Sequence, residues 1–147
     1  MLYRGKTSLF YILSSFVGAL LVAASFAYNN YRFSQFKFID FSKTILYTQN
    51  DIFTPKKDYY YMLIFSSHQT NPNKLISKIP KNYPIIIIDM YQKEFKSKKG
   101  EIFTRVGSNT FIKIIQKFNI YNIPVYFSIK RYNKNLFKQD SALKEIK

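Results

Sequence analysis

Residues 59–74 read YYYMLIFSSHQTNPNK: an unbroken apolar and aromatic run, 59–65, passes straight into a polar turn that contains a proline. A short continuous apolar run bounded by turn residues is the pattern of a strand buried on both faces. A second such run follows at 83–90, YPIIIIDM, with four consecutive isoleucines. β-Branched side chains crowd a helix and pack well on a pleated surface, so this run also reads as an interior strand. Between the two lies NPNKLISKI, 71–79, where Leu75, Ile76 and Ile79 fall at helical spacing. That spacing predicts a helix ending before Pro80 or Pro84.

Upstream, KFIDF at 37–41 reads as a short first strand, and SKTILYTQND at 42–51 as a helix with Ser42 as its N-cap. IFTPKKD, 52–58, is a connection marked by Pro55. Downstream, QKEFKSKKGEIFTRVGS at 92–108 reads as a basic loop. NTFIKIIQKFNI, 109–120, places Phe111, Ile114, Ile115 and Phe118 on one face and Lys113, Gln116 and Lys117 elsewhere, which predicts an amphipathic helix. IPVYFSI at 123–129 is a third strand, and NLFKQD pairs with it after a turn at YNKN. SALKEIK, 141–147, reads as a helical tail with Ser141 as N-cap. The order β-α-β-α-β-α-β-β-α predicts a mixed α/β sheet with helices on both sides and a terminal hairpin.

The N-terminal part has a different character. Ser8 to Tyr28 is 21 residues without a charge. At about 1.5 Å per residue it spans roughly the 30 Å hydrocarbon core of a bilayer. Two alternatives stand. Arg4 and Lys6 form a basic n-region and SFA precedes Tyr28, as in a cleaved signal peptide with a mature N-terminus at Ser25 or Tyr28. The apolar run, however, exceeds the usual ~7–15 residues of a signal-peptide core, which favours a retained single-pass helix. Arg4 and Lys6 on one side nearly balance Arg32, Lys37 and Lys43 on the other. A short basic tail before a first span mostly stays in the cytoplasm. The expected organisation is therefore a cytoplasmic tail at 1–7, a transmembrane helix at 8–28 and an extracytoplasmic domain at 29–147. In a Gram-negative cell the helix lies in the inner membrane and the domain in the periplasm. NNYRFSQFKF, 29–38, suits an aromatic and basic interfacial collar. Ser15, Ala19, Ala23 and Ala27 recur every four residues, and Ser14 pairs with Gly18. Such small residues let helices approach closely in lipid, so Ser15, Gly18, Ala19 and Ala23 are candidate packing positions for a membrane partner.

The chain carries 23 basic and 8 acidic residues, a net charge of +15. A charge of that size favours polyanions: nucleic acid, anionic headgroups or an acidic protein face. Lys93, Lys96, Lys98 and Lys99 surround Phe95, a cluster suited to headgroups or an acidic partner. Lys130, Arg131, Lys134 and Lys138 with Tyr132 and Phe137 form a second, of the kind nucleic acid uses. An anchored extracytoplasmic domain rarely meets nucleic acid, so none is expected as partner. There is no cysteine, which excludes disulfides, thiolate metal sites and thiol catalysis. No glycine-rich phosphate loop, zinc-ligand spacing or nucleophile elbow is present. His68 is the only histidine and reads as an exposed polar residue. Asp89 ends an apolar strand, a ligand-facing place in α/β sheets, but reads first as a turn or cap residue.

The arrangement resembles the thioredoxin fold. In that family the redox motif follows the central strand as phenylalanine, an aromatic run and Cys-Gly-Pro-Cys-Lys. Here Phe65 ends the strand and TNPNK, 70–74, sits at the matching distance. Thr70 and Asn73 stand where the cysteines would be, Asn71 replaces the glycine, and Pro72 and Lys74 match. The family also has a helix, then a loop whose hydrophobic residue and cis-proline open the next strand. FNIYNIPVYFSI, 118–129, is similar, with Ile123–Pro124 as the pair. The resemblance covers roughly residues 38–147.

The departures decide the chemistry. At a helix N-terminus a cysteine becomes a thiolate; threonine has no comparable acidity and is a poor nucleophile without a base. Asn73 cannot resolve a mixed disulfide, so dithiol–disulfide exchange is impossible. What remains is a helix start with Thr70 as N-cap and Pro72 near its first position. The resemblance implies that the proline loop is a docking edge for extended peptide, with Thr70, Asn71, Pro72, Asn73, Ile123 and Pro124 as its residues. The expectation is a non-enzymatic, membrane-tethered interaction module without metal or cofactor. It would serve as an accessory or chaperone-like assembly subunit of an inner-membrane or envelope complex such as a motility or secretion machine. The alternatives are a soluble or anchored periplasmic peptide- or ligand-binding protein, and a non-redox enzyme using Thr70, His68 or Asp89.

Overall fold

The computed structural model describes the backbone from Leu2 to Lys147 and the side chains of residues 8–31 and 37–147. The chain divides into an N-terminal unit ending at Phe36 and a second unit, Lys37–Lys147.

The first unit is one helix, α1 (Leu2–Phe36). Its stretch Ser8–Tyr31 has a mean hydropathy of 2.1 and no buried residue. By length and composition it can cross a membrane, and a signal sequence shares those properties. The Ser14 and Ser15 hydroxyls donate back to the Tyr11 carbonyl at 2.9 and 3.0 Å. Polar side chains in an apolar helix are thereby satisfied locally, as hydrocarbon demands. Gly18 has open space where a Cβ would stand. The helix does not stop with the apolar run; it continues through the aromatic and basic residues to Phe36.

The second unit is a mixed seven-stranded sheet in the order β1-β6-β5-β2-β3-β4, with β7 also paired to β5. The strands are β1 (Phe38–Asp40), β2 (Tyr59–Phe65), β3 (Ile85–Asp89), β4 (Glu101–Thr104), β5 (Val125–Asn133), β6 (Leu136–Gln139) and β7 (Lys144–Glu145). β2, β3 and β4 run parallel; β5 runs against β2, and β6 and β7 against β5. Helices α2 (Pro72–Ile76) and α3 (Ser108–Lys117) complete the unit.

Alternation along β2 and β3 explains why both runs are apolar throughout. Tyr60, Met62, Ile64, Ile86 and Ile88 face one core with Ile114 and Phe118 of α3 and with Phe41, Leu46 and Phe53. Tyr61, Leu63, Phe65, Ile85 and Ile87 face the other, with Leu75, Ile76 and Ile79 around α2 and Ile146 from the C-terminus. Each fully buried Ile, Leu or Phe contributes about 1.5–3 kcal/mol. The third strand and its hairpin partner, the two helices and the short first strand all form where expected.

Three segments differ. Residues 42–51 are not a helix. Ser42 caps nothing: its N–H and hydroxyl donate to Asp40 Oδ1 at 2.9 and 2.6 Å. Leu46 is buried, and Tyr47 exchanges backbone hydrogen bonds with Arg105, 2.8 Å each way. A distant partner supplies what an i–4 carbonyl would have. The basic loop at 92–108 contains β4, which pairs with β3 in parallel from Ile85↔Glu101 to Ile88↔Thr104. The tail at 141–147 is strand, not helix: Tyr126 pairs with Lys144 and Val125 with Glu145. Ser141 is no cap; its Oγ accepts from the Ser128 N–H at 2.9 Å. Seven residues are too few for a stable helix on propensity alone. β6 pairs only with the later half of β5, from Ile129 on, and the tail takes the unpaired stretch before it.

Candidate functional site

β5 runs against the parallel pair β2 and β3, so three connections meet at one end of the sheet. Ile64 lies opposite Val125, and Phe65 opposite Asp89. The end therefore gathers the residues after Phe65, those after Asp89 and those before Val125. Ligands of α/β sheets sit at this kind of place, outside the carboxyl ends of parallel strands. Thr70, Asn71, Pro72 and Asn73 are brought to the same end as Ile123 and Pro124. Ser15, Gly18, Ala19 and Ala23 lie on α1, in the other unit.

The loop after β2 is a turn built on Ser66, whose carbonyl accepts from the Gln69 and Thr70 N–H groups at 3.1 Å each. The N-cap of α2 is Asn71, not Thr70. Asn71 is extended (φ −74°, ψ 131°) and its Oδ1 accepts from the Asn73 N–H at 3.0 Å. The reason is Pro72 at the first helical position. The residue before a proline is driven to extended backbone, which is the conformation a cap requires. Thr70 is left one residue outside the helix. Pro72 is buried, Thr70 half-buried, and Asn71 and Asn73 exposed.

Asp89 braces this end. It is 3% exposed. Its Oδ1 accepts from the N–H groups of Ser67 (2.9 Å) and Tyr91 (3.2 Å), and its Oδ2 from Lys93 (3.0 Å). Burial pushes its pKa up, but the hydrogen bonds from Ser67, Lys93 and Tyr91 outweigh burial and hold the carboxyl below its ordinary value. A carboxylate committed in this way fixes loops and is poorly placed to take a proton. His68 is exposed and stacks on Tyr91, ring centroids 3.5 Å apart and planes 10° apart. Among the described residues no side chain hydrogen-bonds the Thr70 hydroxyl.

The Ile123–Pro124 peptide is cis. The Pro124 carbonyl accepts from Ile146 at 3.1 Å, so the strand edge after the proline is closed by the chain's own C-terminus. Among the described residues nothing bonds the backbone N–H or C=O of Ile123. The connections that meet at this end also carry large exposed side chains that sequence reasoning did not single out: Tyr121 (89% exposed) before β5, and Met90 and Tyr91 after β3. The signal was available for Tyr121, which follows the buried Ile120 and precedes Asn122. This end offers the unbonded peptide groups of Ile123, the exposed amides of Asn71 and Asn73 and the exposed ring of Tyr121.

A concavity lies beside β4. It has a volume of about 450 Å³ and is lined by Tyr47, Asn50, Asp51, Gln92, Arg105 and Gly107, among others. Gly107 starts α3 without a side-chain cap. Arg105 is paired with Glu94 at 2.7 Å, and Gln92 Oε1 accepts from the Val106 N–H at 2.7 Å. This cleft exists because Tyr47 bridges to Arg105, the residue after β4, so it was not legible from local pattern. Compared with models of protein families, with curated proteins and with solved structures, the chain finds no match.

Proposed function

We propose that this chain is a membrane-tethered, non-catalytic interaction module of thioredoxin-like type. It acts as an accessory, chaperone-like assembly subunit of an inner-membrane or envelope complex, with its globular unit in the periplasm. The observation that carries the proposal is the meeting, at one sheet end, of the cysteine-free turn after interior strand β2 and the Ile123–Pro124 pair that opens β5. Further support comes from the order of elements: interior strand, short helix, the parallel strands β3 and β4, helix α3, Ile-Pro, then the hairpin β5–β6. The apolar stretch of α1 supports the tether.

In this reading an extended partner segment bonds the free backbone of Ile123 and lays side chains against Tyr121 and Tyr91. Backbone pairing supplies affinity and the aromatic rim supplies selectivity. Asn71 and Asn73 offer additional donors and acceptors.

The test is gentle extraction of full-length, tagged protein from its native membranes, followed by sizing. The expected result is a defined large complex with stoichiometric companions that are lost on Tyr121→Asp. A lone small species, reproducible after mild crosslinking, overturns the proposal. The cleft beside β4 favours a second reading, an anchored ligand-binding protein, and is where a lone species would direct attention.

A further inference from the structure

The sheet face that carries α2 is only half covered. Leu75, Ile76, Ile79 and Ile146 close it over β2 and β3. Tyr126 and Ser128 at the start of β5 are covered too, but beyond them, over Lys130–Tyr132, β6 and β1, no helix of the second unit lies on it among the described residues. Across these strands the register builds one row: Tyr59 opposite Lys130, Lys130 opposite Lys138, Lys138 opposite Phe38. Directly paired residues share a face, so the four side chains stand side by side on about 15 Å of rigid sheet. Lys130 Nζ lies 5.6 Å from the Tyr59 ring centroid and Lys138 Nζ 5.7 Å from that of Phe38. Tyr132, 68% exposed, packs edge-on against Phe38 at 5.3 Å. Lys144 Nζ extends the pattern, 5.8 Å from the Tyr126 ring.

This row corrects the basic-aromatic cluster read from the sequence. Arg131 and Phe137 belong to the opposite face. Phe137 is fully buried, and Arg131 is held by Asp58 and by the carbonyls of Pro55, Lys57 and Lys134. Only Lys130, Tyr132 and Lys138 of that cluster face outward here. Of the acids near them, Asp40 is engaged by Ser42, and Asp140 is exposed at the row's margin.

We propose that this open lysine–aromatic face docks on anionic phospholipid headgroups of the bilayer that α1 crosses. The inference rests on α1 being retained in the membrane. Charge complementarity permits any polyanion, but chain continuity selects lipid. The sheet edge β1 starts at Phe38, two residues after α1 ends at Phe36, and the Lys37 carbonyl already accepts from the Gln139 N–H at 3.0 Å. Only residues 32–37 lie between the apolar stretch and this edge in the chain, and all but the last of them belong to α1. A tethered surface is thus always at high effective concentration, whereas a free nucleic acid is not. Tyrosine and lysine side by side are also the composition of the membrane interface, where each lysine near an anionic surface adds attraction.

The chain contains no tryptophan, so Tyr132→Trp creates a single indole on the face. The full chain is reconstituted in phosphatidylcholine vesicles with or without phosphatidylglycerol, and quenching by headgroup-labelled lipid is read. Ile112→Trp, exposed on α3 under the other face, is the control. The expected result is quenching of Tyr132→Trp by the anionic vesicles, little quenching of the control, and loss of the effect in high salt. Each of K130E, K138E and K144E should reduce the docked population about fivefold or more. These lysines are exposed, and circular dichroism checks that each variant folds; where one does not, a salt titration on either of the other two serves. Equal quenching in neutral vesicles, or quenching indifferent to charge reversal, overturns the proposal. A response to a single-stranded oligonucleotide but not to anionic lipid does so too and assigns the face to nucleic acid. Vesicle flotation separates the two readings: a chain that floats without quenching defeats the docking face alone, and one that does not float defeats the anchor and the face together.

Discussion

Asp89 concentrates the organisation of the sheet end in one carboxylate, and its consequences are measurable. Asp89→Asn removes charge-assisted hydrogen bonds from three backbone amides and should destabilise the globular unit by about 2 kcal/mol in denaturant unfolding. The folded-state pKa lies below the ordinary 3.8. Its contribution is therefore complete above that value and is lost as pH falls through the lower folded one. The stability gap between wild type and Asp89→Asn should be constant near neutral pH and shrink below about pH 4. Asn71 and Thr70 make a second residue-scale comparison. Asn71→Ala should cost about 1 kcal/mol as a lost cap, while Thr70→Ala should stay within about 0.5 kcal/mol. Both residues were plausible caps on side-chain chemistry. What separates them is the backbone restriction imposed by Pro72, which acts on its immediate predecessor.

At the scale of elements, legibility followed the range of the interactions that stabilise each one. β2, β3 and α3 carry their own periodicity, because each buries a face or faces defined by its own side chains. β4 is four residues long, only one of them buried, and sits at the sheet edge inside lysine-rich sequence. It exists because β3 offers a free parallel edge. β7 likewise exists because β6 leaves part of β5 unpaired. Ile146 secures that pairing from the buried side. Ile146→Ala should cost about 2 kcal/mol and raise amide exchange at Ile146 and along β7. A helical tail would instead show protection in an i–4 pattern and little loss on this substitution.

At the scale of the whole molecule, one cluster of lysines in the sequence becomes two different environments in the fold. Strand alternation turns Lys130, Lys138 and Tyr132 outward together and sends Arg131 into hydrogen bonds with the 55–58 connection. The proposed docking end and the proposed lipid face are separate surfaces of the same sheet, so their substitutions should act independently. Tyr121→Asp should abolish companion recovery with a stability change within about 0.5 kcal/mol, because its side chain is almost fully exposed. Membrane attachment in vesicle flotation should be unchanged by the same substitution.

The apolar stretch of α1, the two strands buried on both faces, the amphipathic helix α3, the Ile-Pro opening of β5 and the absence of thiol chemistry were all legible without coordinates. Each is a property of residue type and spacing within a single segment. Long-range pairing settled that residues 42–51 are not a helix, that β4 and β7 form, that Asp89 braces three loop amides, and that an aromatic–lysine row stands open on one face. These depend on backbone partners far apart in the chain: Tyr47 with Arg105, Ser67 with Asp89, Tyr59 with Lys130. A hydrogen-bonding group takes whichever partner the assembled sheet presents, and that choice is made by the fold as a whole rather than by the local sequence.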